Sequence, residues 1–365
     1  MVTYDSNTGT YTGTAGSTTV FTMVVNTDGT YDFTLLATLD HADPNDPNDI
    51  INLDFGIEVE DGDEINGGDT ASAYIRIRVK DDVPVIGNSY GDVDETNFHT
   101  QDPLVWQDVI DTNFGQDLAE VKPHATDPAV AQVNGNPILL YTTDGQAVLI
   151  QKTTNGYEGV TSPNGVLVFT LEIDPQTGAY TYKQYETLLH PDSSDHNDVI
   201  DLVFPVEVIS NDQDTDTGTI VIHVADDGPV ANDDINGAEE SQYITGDVVA
   251  NDELSEDTPN TVINVNFNGT DYTVPFAGGV VVTGAYGVLV MDSDGTYSYT
   301  ANSNDPDGTD VFTYTLQDGD GDTDTATLSV HVTPDGAPVA VSEFLAVDET
   351  NLTPGPMTFD GYQSE

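Results

Sequence analysis

The chain has 365 residues, of which 65 are Asp or Glu and 6 are Lys or Arg, so its formal net charge is -59. A surface this acidic repels phosphate backbones and anionic membranes, which excludes nucleic acid as a partner and argues against membrane insertion. High charge often indicates disorder, but 37% of the residues are hydrophobic and many of them fall in alternating runs, which predicts folded domains. There are no cysteines to form disulfides, no apolar run approaches the ~18 residues of a membrane-spanning helix, and the N-terminus lacks a secretory signal pattern.

Alternation of apolar and polar residues with period two predicts half-buried strands along the whole chain. Clear examples, in chain order, are residues 30–35, 73–79, 219–224 and 327–332. Asp-Gly pairs such as Asp28-Gly29 and Asp294-Gly295 predict tight turns between strands. The only helix candidate lies near residues 105–114. We therefore predict an all-β fold of tandem Ig-like antiparallel β-sandwich domains in a linear array.

An acidic phrase with a proline recurs three times and divides the chain into modules. It reads Asp-Asp-Val-Pro-Val at 81–85, Asp-Asp-Gly-Pro-Val at 226–230 and Asp-Gly-Ala-Pro-Val at 335–339. We predict four units: an Ig-like extender domain at 1–83 that is truncated at its start, a longer Ig-like repeat at 84–228, a third Ig-like domain at 229–336, and the stub of a further repeat at 337–365.

Acidic residues also stand ten positions after each proline, so carboxylates flank every junction. We predict that a cation shared between neighbouring domains binds there; the alternative is a pair of solvated charges beside a proline-containing linker. The three predicted sets are Asp81 and Asp82 with Asp94 and Glu95, Asp226 and Asp227 with Glu239 and Glu240, and Asp335 with Asp348 and Glu349.

A second acidic motif precedes the last strand of each module, where every other residue is Asp. Hard carboxylate oxygens, six to eight around one ion, suit Ca²⁺ better than other metals, so Ca²⁺ is the predicted cofactor. The alternative is a soluble hairpin turn, because Asp-Gly is a common turn pair. The predicted ligands are Asp212, Asp214, Asp216, Asp318, Asp320, Asp322 and Asp324, and residues 60–64 occupy the same place in the first module.

One histidine-containing loop suggests a different chemistry, because His190 is followed by Asp192, Asp195, His196 and Asp198. Such a set could bind a transition metal or support hydrolysis. In the corresponding loop after His41, however, Pro47 replaces the second histidine. An acidic, proline-rich loop that opens a strand is therefore the favoured interpretation.

The sequence contains no recognisable catalytic constellation: the nucleophile elbow, zinc-protease motif, P-loop and Rossmann fingerprint are all missing. We therefore predict a protein that is not an enzyme. The lone Trp106 leaves a rival function, a ligand-binding module for glycan or protein in the middle domain, although a core tryptophan is more common than an exposed stacking platform.

Several of these motifs resemble the type I secretion repeats of giant bacterial RTX adhesins. They are Leu-Asp-His at 39–41, the Asp-Asp-x-Pro-Val junctions and Asp-Glu-Thr-Asn at 94–97 and 348–351. Residues 231–335 resemble a VCBS or cadherin-like tandem repeat through 246–252, 294–299 and 318–322.

The resemblance implies a Ca²⁺-bound extender, or stalk, that a type I system secretes to the bacterial cell surface. Its partners would be the neighbouring repeats of the same chain, while a distal tip elsewhere in the full protein binds a host or surface ligand. A monomeric state is expected. The Gly-Gly-x-Gly-x-Asp nonapeptide of the RTX β-roll is missing, so this region corresponds to stalk and not to the C-terminal secretion region.

Overall fold

The computed structural model of the protein describes residues 1–41, 48–60, 69–116, 118–163, 165–303 and 307–335. Strands account for 59% of the residues and helices for 3%, so the predicted all-β class is confirmed. None of the helical segments described is long and apolar enough to cross a membrane. The buried apolar side chains form three separate clusters along the chain.

The first cluster lies between a four-stranded antiparallel sheet and a two-stranded hairpin. Phe21 of the sheet and Phe55 of the hairpin are both buried, and their rings meet edge to face with centroids 5.7 Å apart. The sheet follows chain order and the hairpin pairs its own two strands; the six are β1 (Val2–Asp5), β2 (Thr10–Ala15), β3 (Thr18–Val25), β4 (Tyr31–Leu35), β5 (Ile50–Glu60) and β6 (Thr70–Lys80).

The middle cluster fills the space between a six-stranded and a five-stranded sheet. Alternate residues of two long strands, such as Leu202 and Ile222, are completely buried, as their period-two pattern predicts. The strands are β7 (Val85–Ile86), β8 (Ser89–Asp94), β9 (Leu104–Val109), β10 (Thr112–Asn113), β11 (Ala119–Pro123), β12 (Val130–Val133), β13 (Asn136–Ile138), β14 (Ala147–Lys152), β15 (Gly156–Ser162), β16 (Leu167–Ile173), β17 (Ala179–Gln184), β18 (Val199–Ser210) and β19 (Thr215–Ala225), with a 3₁₀ helix at Glu95–His99.

The two sheets run in the order β13-β12-β18-β19-β8, with β11 also pairing β18, and β14-β15-β16-β17-β9; β7 pairs β10 separately. The helix predicted near residues 105–114 is wrong. That segment forms β9, which pairs with β17 in antiparallel register from Leu104↔Gln184 to Val109↔Ala179. Cross-strand packing at this sheet edge outweighs the weak helical pattern.

The third cluster lies between a five-stranded and a four-stranded sheet, with orders β20-β28-β27-β22-β23 and β21-β26-β25-β24. The strands are β20 (Asp234–Glu239), β21 (Tyr243–Asp247), β22 (Thr261–Phe267), β23 (Thr270–Thr273), β24 (Val280–Thr283), β25 (Gly287–Met291), β26 (Thr296–Ala301), β27 (Gly308–Gln317) and β28 (Thr323–Thr333), with a 3₁₀ helix at Val248–Asn251.

The sheets are not purely antiparallel, because the first long strand of each of the last two domains runs parallel to the last strand. β8 pairs β19 with Ser89 opposite Ile220 and Asp94 opposite Ala225, and β20 pairs β28 in the same way. Because the first and last strands run side by side in the same direction, the chain enters the domain at one end and leaves it at the opposite end. This geometry suits a tandem arrangement and delivers β8 to the far end, where the next domain begins.

Candidate metal centres at the domain junctions

The densest group of buried acidic side chains lies where the middle domain meets the third. Asp226 and Asp227 follow β19 directly and are 1% and 2% exposed. The backbone N–H of Asp226 donates to the carbonyl of Asp198 at 3.0 Å, which fixes this residue to the start of β18. Two carboxylates from the third domain approach it, and one oxygen each of Asp226, Asp320 and Asp322 lies within 4.8 Å of the others.

The loop between β27 and β28 supplies these carboxylates and is shaped by its own hydrogen bonds. The carboxylate of Asp318 accepts from the backbone N–H groups of Gly321 and Asp322 at 3.0 and 2.8 Å. Gly321 has φ 114°, a conformation that favours glycine. The loop therefore curls so that Asp320 and Asp322 project toward the middle domain, and Asp320 accepts a bond from the backbone N–H of His190 at 3.3 Å.

Two further carboxylates complete the group from opposite domains. Glu95 opens the 3₁₀ helix after β8 and is fully buried, and Asp257, in the loop before β22, is also fully buried. Glu95, Asp226, Asp227 and Asp257 each place one oxygen within 4.8 Å of the others. Both oxygens of Asp227 already accept bonds from the third domain, from the Ser255 hydroxyl at 3.1 Å and a backbone N–H at 2.8 Å. Asp227 therefore holds the linker to the third domain.

Many polar atoms in this group have no protein partner. Eight buried side-chain atoms at the junction, among the residues described, lack a hydrogen bond. Every Lys and Arg stands at or before residue 183, so no ammonium or guanidinium belongs to the third domain. Buried polar groups in proteins are normally paired, and buried charges normally have a counter-charge. The unpaired atoms are Glu95 Oε2, His190 Nε2, Asp226 Oδ2, Asp257 Oδ2, Asp318 Oδ2, Asp320 Oδ1 and both carboxylate oxygens of Asp322.

Burial and mutual repulsion raise the pKa values of these carboxyl groups. Burial, followed by the charges of Asp320 and Asp257, raises the pKa of Asp226 to about 10. Burial also raises the pKa of Asp257 to about 7 and, together with the neighbouring carboxylate of Asp320, that of Asp318 to about 8. Two carboxylates about 4 Å apart repel by roughly 4 kcal/mol at an effective dielectric of 20. Burying these carboxylates as unpaired anions therefore costs free energy. A hard divalent cation such as Ca²⁺, which takes six to eight oxygen ligands, would offset that cost.

The junction between the first and middle domains repeats this arrangement. Asp81 follows β6, is buried, and donates from its N–H to the carbonyl of Asp49 at 3.2 Å. Oxygens of Asp81, Asp212 and Asp214 lie within 4.8 Å of one another. Burial is the main reason that the pKa of Asp81 rises to about 6. Asp214 is also buried, and its pKa is raised by burial and by Asp212.

The last aspartate of each acidic loop has a different role from the others. Asp216 accepts a hydrogen bond from the backbone N–H of Ile86 at 3.0 Å, and Asp324 accepts one from Ala231 at 2.8 Å. Both donors stand two positions after the junction proline. These two carboxylates therefore hold the linker against the domain that follows it.

The predicted pairing of carboxylates across the first two junction prolines, Pro84 and Pro229, is wrong. Asp94 lies opposite Ala225 at the far end of β8, so Glu95 joins Asp226 at the second junction and not Asp81 at the first. Asp94 itself is exposed and caps the 3₁₀ helix through a bond from Thr96 N–H at 2.9 Å. A strand between the proline and the acidic pair spans the domain, which a linear reading of the spacing misses.

In the third domain, too, the acidic pair lies at the far end of the first long strand, away from the junction proline. Glu239 ends β20 opposite Thr333, and the N–H of Glu240 donates to the carbonyl of Thr333 at 2.8 Å, so both lie far from Asp226 along the strand. Asp82 accepts a bond from the backbone N–H of Gln116, and Asp335 is exposed. The predicted ligands Asp348 and Glu349, and residues 61–64 of the first-domain loop, lie outside the residues described.

The two histidines that open the acidic loops, His41 and His190, lie at the junctions, although the sequence favoured a plain acidic loop after each of them. His190 and Asp226 lie with Glu95 in one group, and His41 lies with Asp49 and Asp81 in another. The signal was the repeated spacing of eight residues from His41 to Asp49 and from His190 to Asp198. Asp257 had no such signal, because it belongs to none of the motifs that recur along the chain.

Trp106 lies on β9, is partly buried, and packs against the middle core. A Cβ on Gly91 would approach the indole nitrogen to 2.5 Å, so the ring covers this glycine closely. The ring therefore contributes to the fold of the middle domain.

Comparison with known families assigns the two larger domains separately. Residues 92–225 match a family described as a domain of unknown function (DUF5801), and residues 226–334 match the bacterial cadherin-like domain. The second match agrees with the cadherin-like resemblance of residues 231–335. No curated protein matches the chain.

Among solved structures, similarity is found to tandem cadherin domains at low identity. Drosophila N-cadherin EC1–4 is 12% identical with a TM-score of 0.23, and the alignment covers 85% of this chain and 64% of that one. Mouse clustered protocadherin PcdhgC3 EC1–3 is 12% identical with a TM-score of 0.24, covering 87% and 86%. The cadherin-like domains of zebrafish RET are 11% identical with a TM-score of 0.24, covering 88% and 64%. Likeness at these scores carries no functional argument.

Cadherin-like domains generally bind Ca²⁺, and the junction groups described above could hold a metal ion. The tandem β-domains and the cadherin-like match of residues 226–334 suggest an adhesion-type repeat region that is extracellular or exposed at a surface. Residues 226–334 are thus similar to a bacterial cadherin-like domain, and the chain is consistent with an adhesin-like bacterial repeat region.

Proposed function

We propose that this chain is a Ca²⁺-stabilised extender segment of a large bacterial surface adhesin, secreted by a type I system, and that it projects a ligand-binding tip located elsewhere in the full protein. The observation that supports it best is the set of eight buried, unpaired side-chain atoms at the second junction. They come from both domains and from the linker, so a cation bound there would connect all three.

The residues that would hold Ca²⁺ are those whose oxygens meet without protein donors. At the second junction they are Asp226, Asp320 and Asp322, with Asp257 and Asp318 beside them. At the first junction they are Asp81, Asp212 and Asp214. Domains joined by a short linker move relative to one another by default. A shared ion would restrain that hinge, which is the property that a stalk requires.

Small-angle X-ray scattering of the full chain tests this function. We expect a long, narrow particle in Ca²⁺ and a broader distribution of lengths in EDTA. The variant with Asp226→Asn, Asp320→Asn and Asp322→Asn should show the broad distribution even in Ca²⁺.

The matched control is Glu239→Gln with Glu240→Gln, which removes acidic charge from the opposite end of the third domain and should leave the profile unchanged. If the triple variant keeps the extended wild-type profile in Ca²⁺, direct domain contacts hold the hinge and the ion-clamp function is refuted.

A further inference from the structure

We propose that His190, Glu95 and Asp226 form a mixed nitrogen–oxygen site that binds Zn²⁺ at the second junction, and that the Asp226 carboxylate is shared between this site and the neighbouring all-oxygen Ca²⁺ group. The inference deepens the proposed function, because it gives one part of the junction a second kind of metal. Nitrogen ligands suit zinc, whereas Ca²⁺ takes oxygen ligands.

The orientation of the imidazole is the first support. The His190 side chain is completely buried, and its Nδ1 lies 2.7 Å from Asp198 Oδ1. When Nδ1–H donates a hydrogen bond to this carboxylate, Nε2 is the ring atom available to a metal; metal-bound histidines usually donate from their other ring nitrogen to a carboxylate, a backbone carbonyl or water. Nε2 has no hydrogen-bond partner and faces Glu95 Oε2 at 3.9 Å, which is too far for a hydrogen bond.

Glu95 is held in an equally defined position. Its Oε1 accepts bonds from the Gln184 amide and from the backbone N–H of Leu188, the latter at 3.0 Å. Its Oε2 is buried without a partner, as is Asp226 Oδ2. One ligand atom from each of Glu95, His190 and Asp226 lies within 4.8 Å of the other two. Three buried side chains from different segments therefore bring ligand atoms within 4.8 Å of one another.

The spacing suits a small ion. Zinc bonds of about 2.0–2.2 Å place neighbouring ligand atoms roughly 3.0–3.6 Å apart. The 3.9 Å between His190 Nε2 and Glu95 Oε2 therefore requires an inward movement of less than about 1 Å. Three protein ligands leave a fourth position for water or for a nearby side chain.

The first junction contains a similar arrangement of a histidine and two aspartates. The Nδ1 of His41 bonds Asp49, and its Nε2 lies 3.8 Å from Asp81 Oδ1, a buried atom without a partner. The His41 side chain is 4% exposed. At both junctions, therefore, a buried imidazole bonds through Nδ1 to an aspartate eight residues later, and its Nε2 lies 3.8 or 3.9 Å from an unpaired, buried carboxylate oxygen.

The test uses the full chain saturated with Ca²⁺. Zn²⁺ is titrated while the nitrogen resonances of the seven imidazoles are recorded by NMR and the heat of binding is measured. We expect the Nε2 resonance of His190 to shift on binding, and His190→Gln to weaken Zn²⁺ binding at that junction by at least 10-fold. Removing a mere hydrogen-bond partner of a metal ligand already costs about 10–100-fold. Glutamine offers an oxygen, so the number of bound Ca²⁺ ions should not change.

His223→Gln is the matched control, because His223 also bonds an aspartate through Nδ1, at 2.6 Å from Asp201, but belongs to none of these junction groups. It should bind Zn²⁺ as the wild type does. If the nitrogen resonance of His190 in the wild type does not shift when Zn²⁺ is added, the inference is overturned, whether or not the variant folds. It is also overturned if His190→Gln folds and keeps wild-type affinity. A Zn²⁺ response without any Ca²⁺ effect on scattering would instead refute the proposed function and leave the zinc site standing.

Discussion

The backbone N–H of Asp226 donates a 3.0 Å hydrogen bond to the carbonyl of Asp198. This bond ties the first residue after β19 to the residue before β18, and Asp81 makes the equivalent bond to Asp49 at 3.2 Å. The junction aspartate thus belongs rigidly to the domain that it ends. An ion held by its carboxylate and by the next domain's loop would therefore transmit force between two folded bodies.

Asp226→Asn should change stability in opposite directions with and without Ca²⁺. In EDTA the folded wild type must take up a proton at Asp226 to avoid a buried charge among carboxylates, and asparagine needs no such proton, so the melting temperature near neutral pH should rise. In Ca²⁺ it removes a ligand, so the stabilisation by the ion, about 4 kcal/mol at a thousandfold excess over Kd, should shrink. Calorimetric melts measure both. Asp92→Asn, at an exposed position of β8, should be neutral in both conditions. A lower melting temperature of Asp226→Asn than of the wild type in EDTA would contradict this prediction.

The melting temperature in EDTA should fall as pH rises from about 5 to 9. Asp226, Asp257 and Asp318 have folded-state pKa values of about 10, 7 and 8, above the unfolded value of about 3.9. The folded state therefore binds more protons, and the associated stability, complete below the unfolded pKa, is lost as pH passes through the folded values. Saturating Ca²⁺ replaces the protons and should flatten this decline. A melting temperature in EDTA that increases over this range would contradict the prediction.

Tyr299→Phe should destabilise the third domain independently of Ca²⁺. Its buried hydroxyl donates to Asp310 at 2.7 Å, and the same carboxylate accepts from the backbone N–H groups of Ala285 and Tyr286. Losing one bond to a charged group costs about 1.5–3 kcal/mol. Hydrogen exchange of third-domain amides measures this loss. Tyr243→Phe, where the ring is 64% exposed, is the control, and equal effects of the two changes would show that the buried bond contributes nothing.

Gly228→Val should disturb the second junction, although valine stands at the corresponding position 83 of the first. A Cβ on Gly228 would lie 2.3 Å from the Cβ of His196, so the loop that contains His196 must move. Overpacking of this kind costs about 1–3 kcal/mol. We expect weaker Ca²⁺ binding by calorimetry, whereas Val83→Gly should leave the second junction unaffected. Unchanged Ca²⁺ affinity in Gly228→Val would mean that the loop containing His196 moves aside without disturbing the metal ligands.

The sequence by itself determined the β-architecture and the acidic loops. Period-two patterns such as that of β19 have one physical solution, a strand with one face buried, and Asp-Gly pairs mark where strands turn. The recurring proline phrase identified the junctions, and the alternate aspartates from Asp318 to Asp324 predicted a cation-binding loop there.

Only the tertiary structure decided which carboxylates meet. Glu95 follows Asp81 closely in sequence, but β8 runs parallel to β19 and delivers it to Asp226 at the other end of the domain. His190 and Asp257 joined the same group through loop conformations that depend on contacts from both domains. Strand direction and loop packing are non-local properties, so spacing along the chain could indicate that cation-binding groups exist, but not which side chains form them.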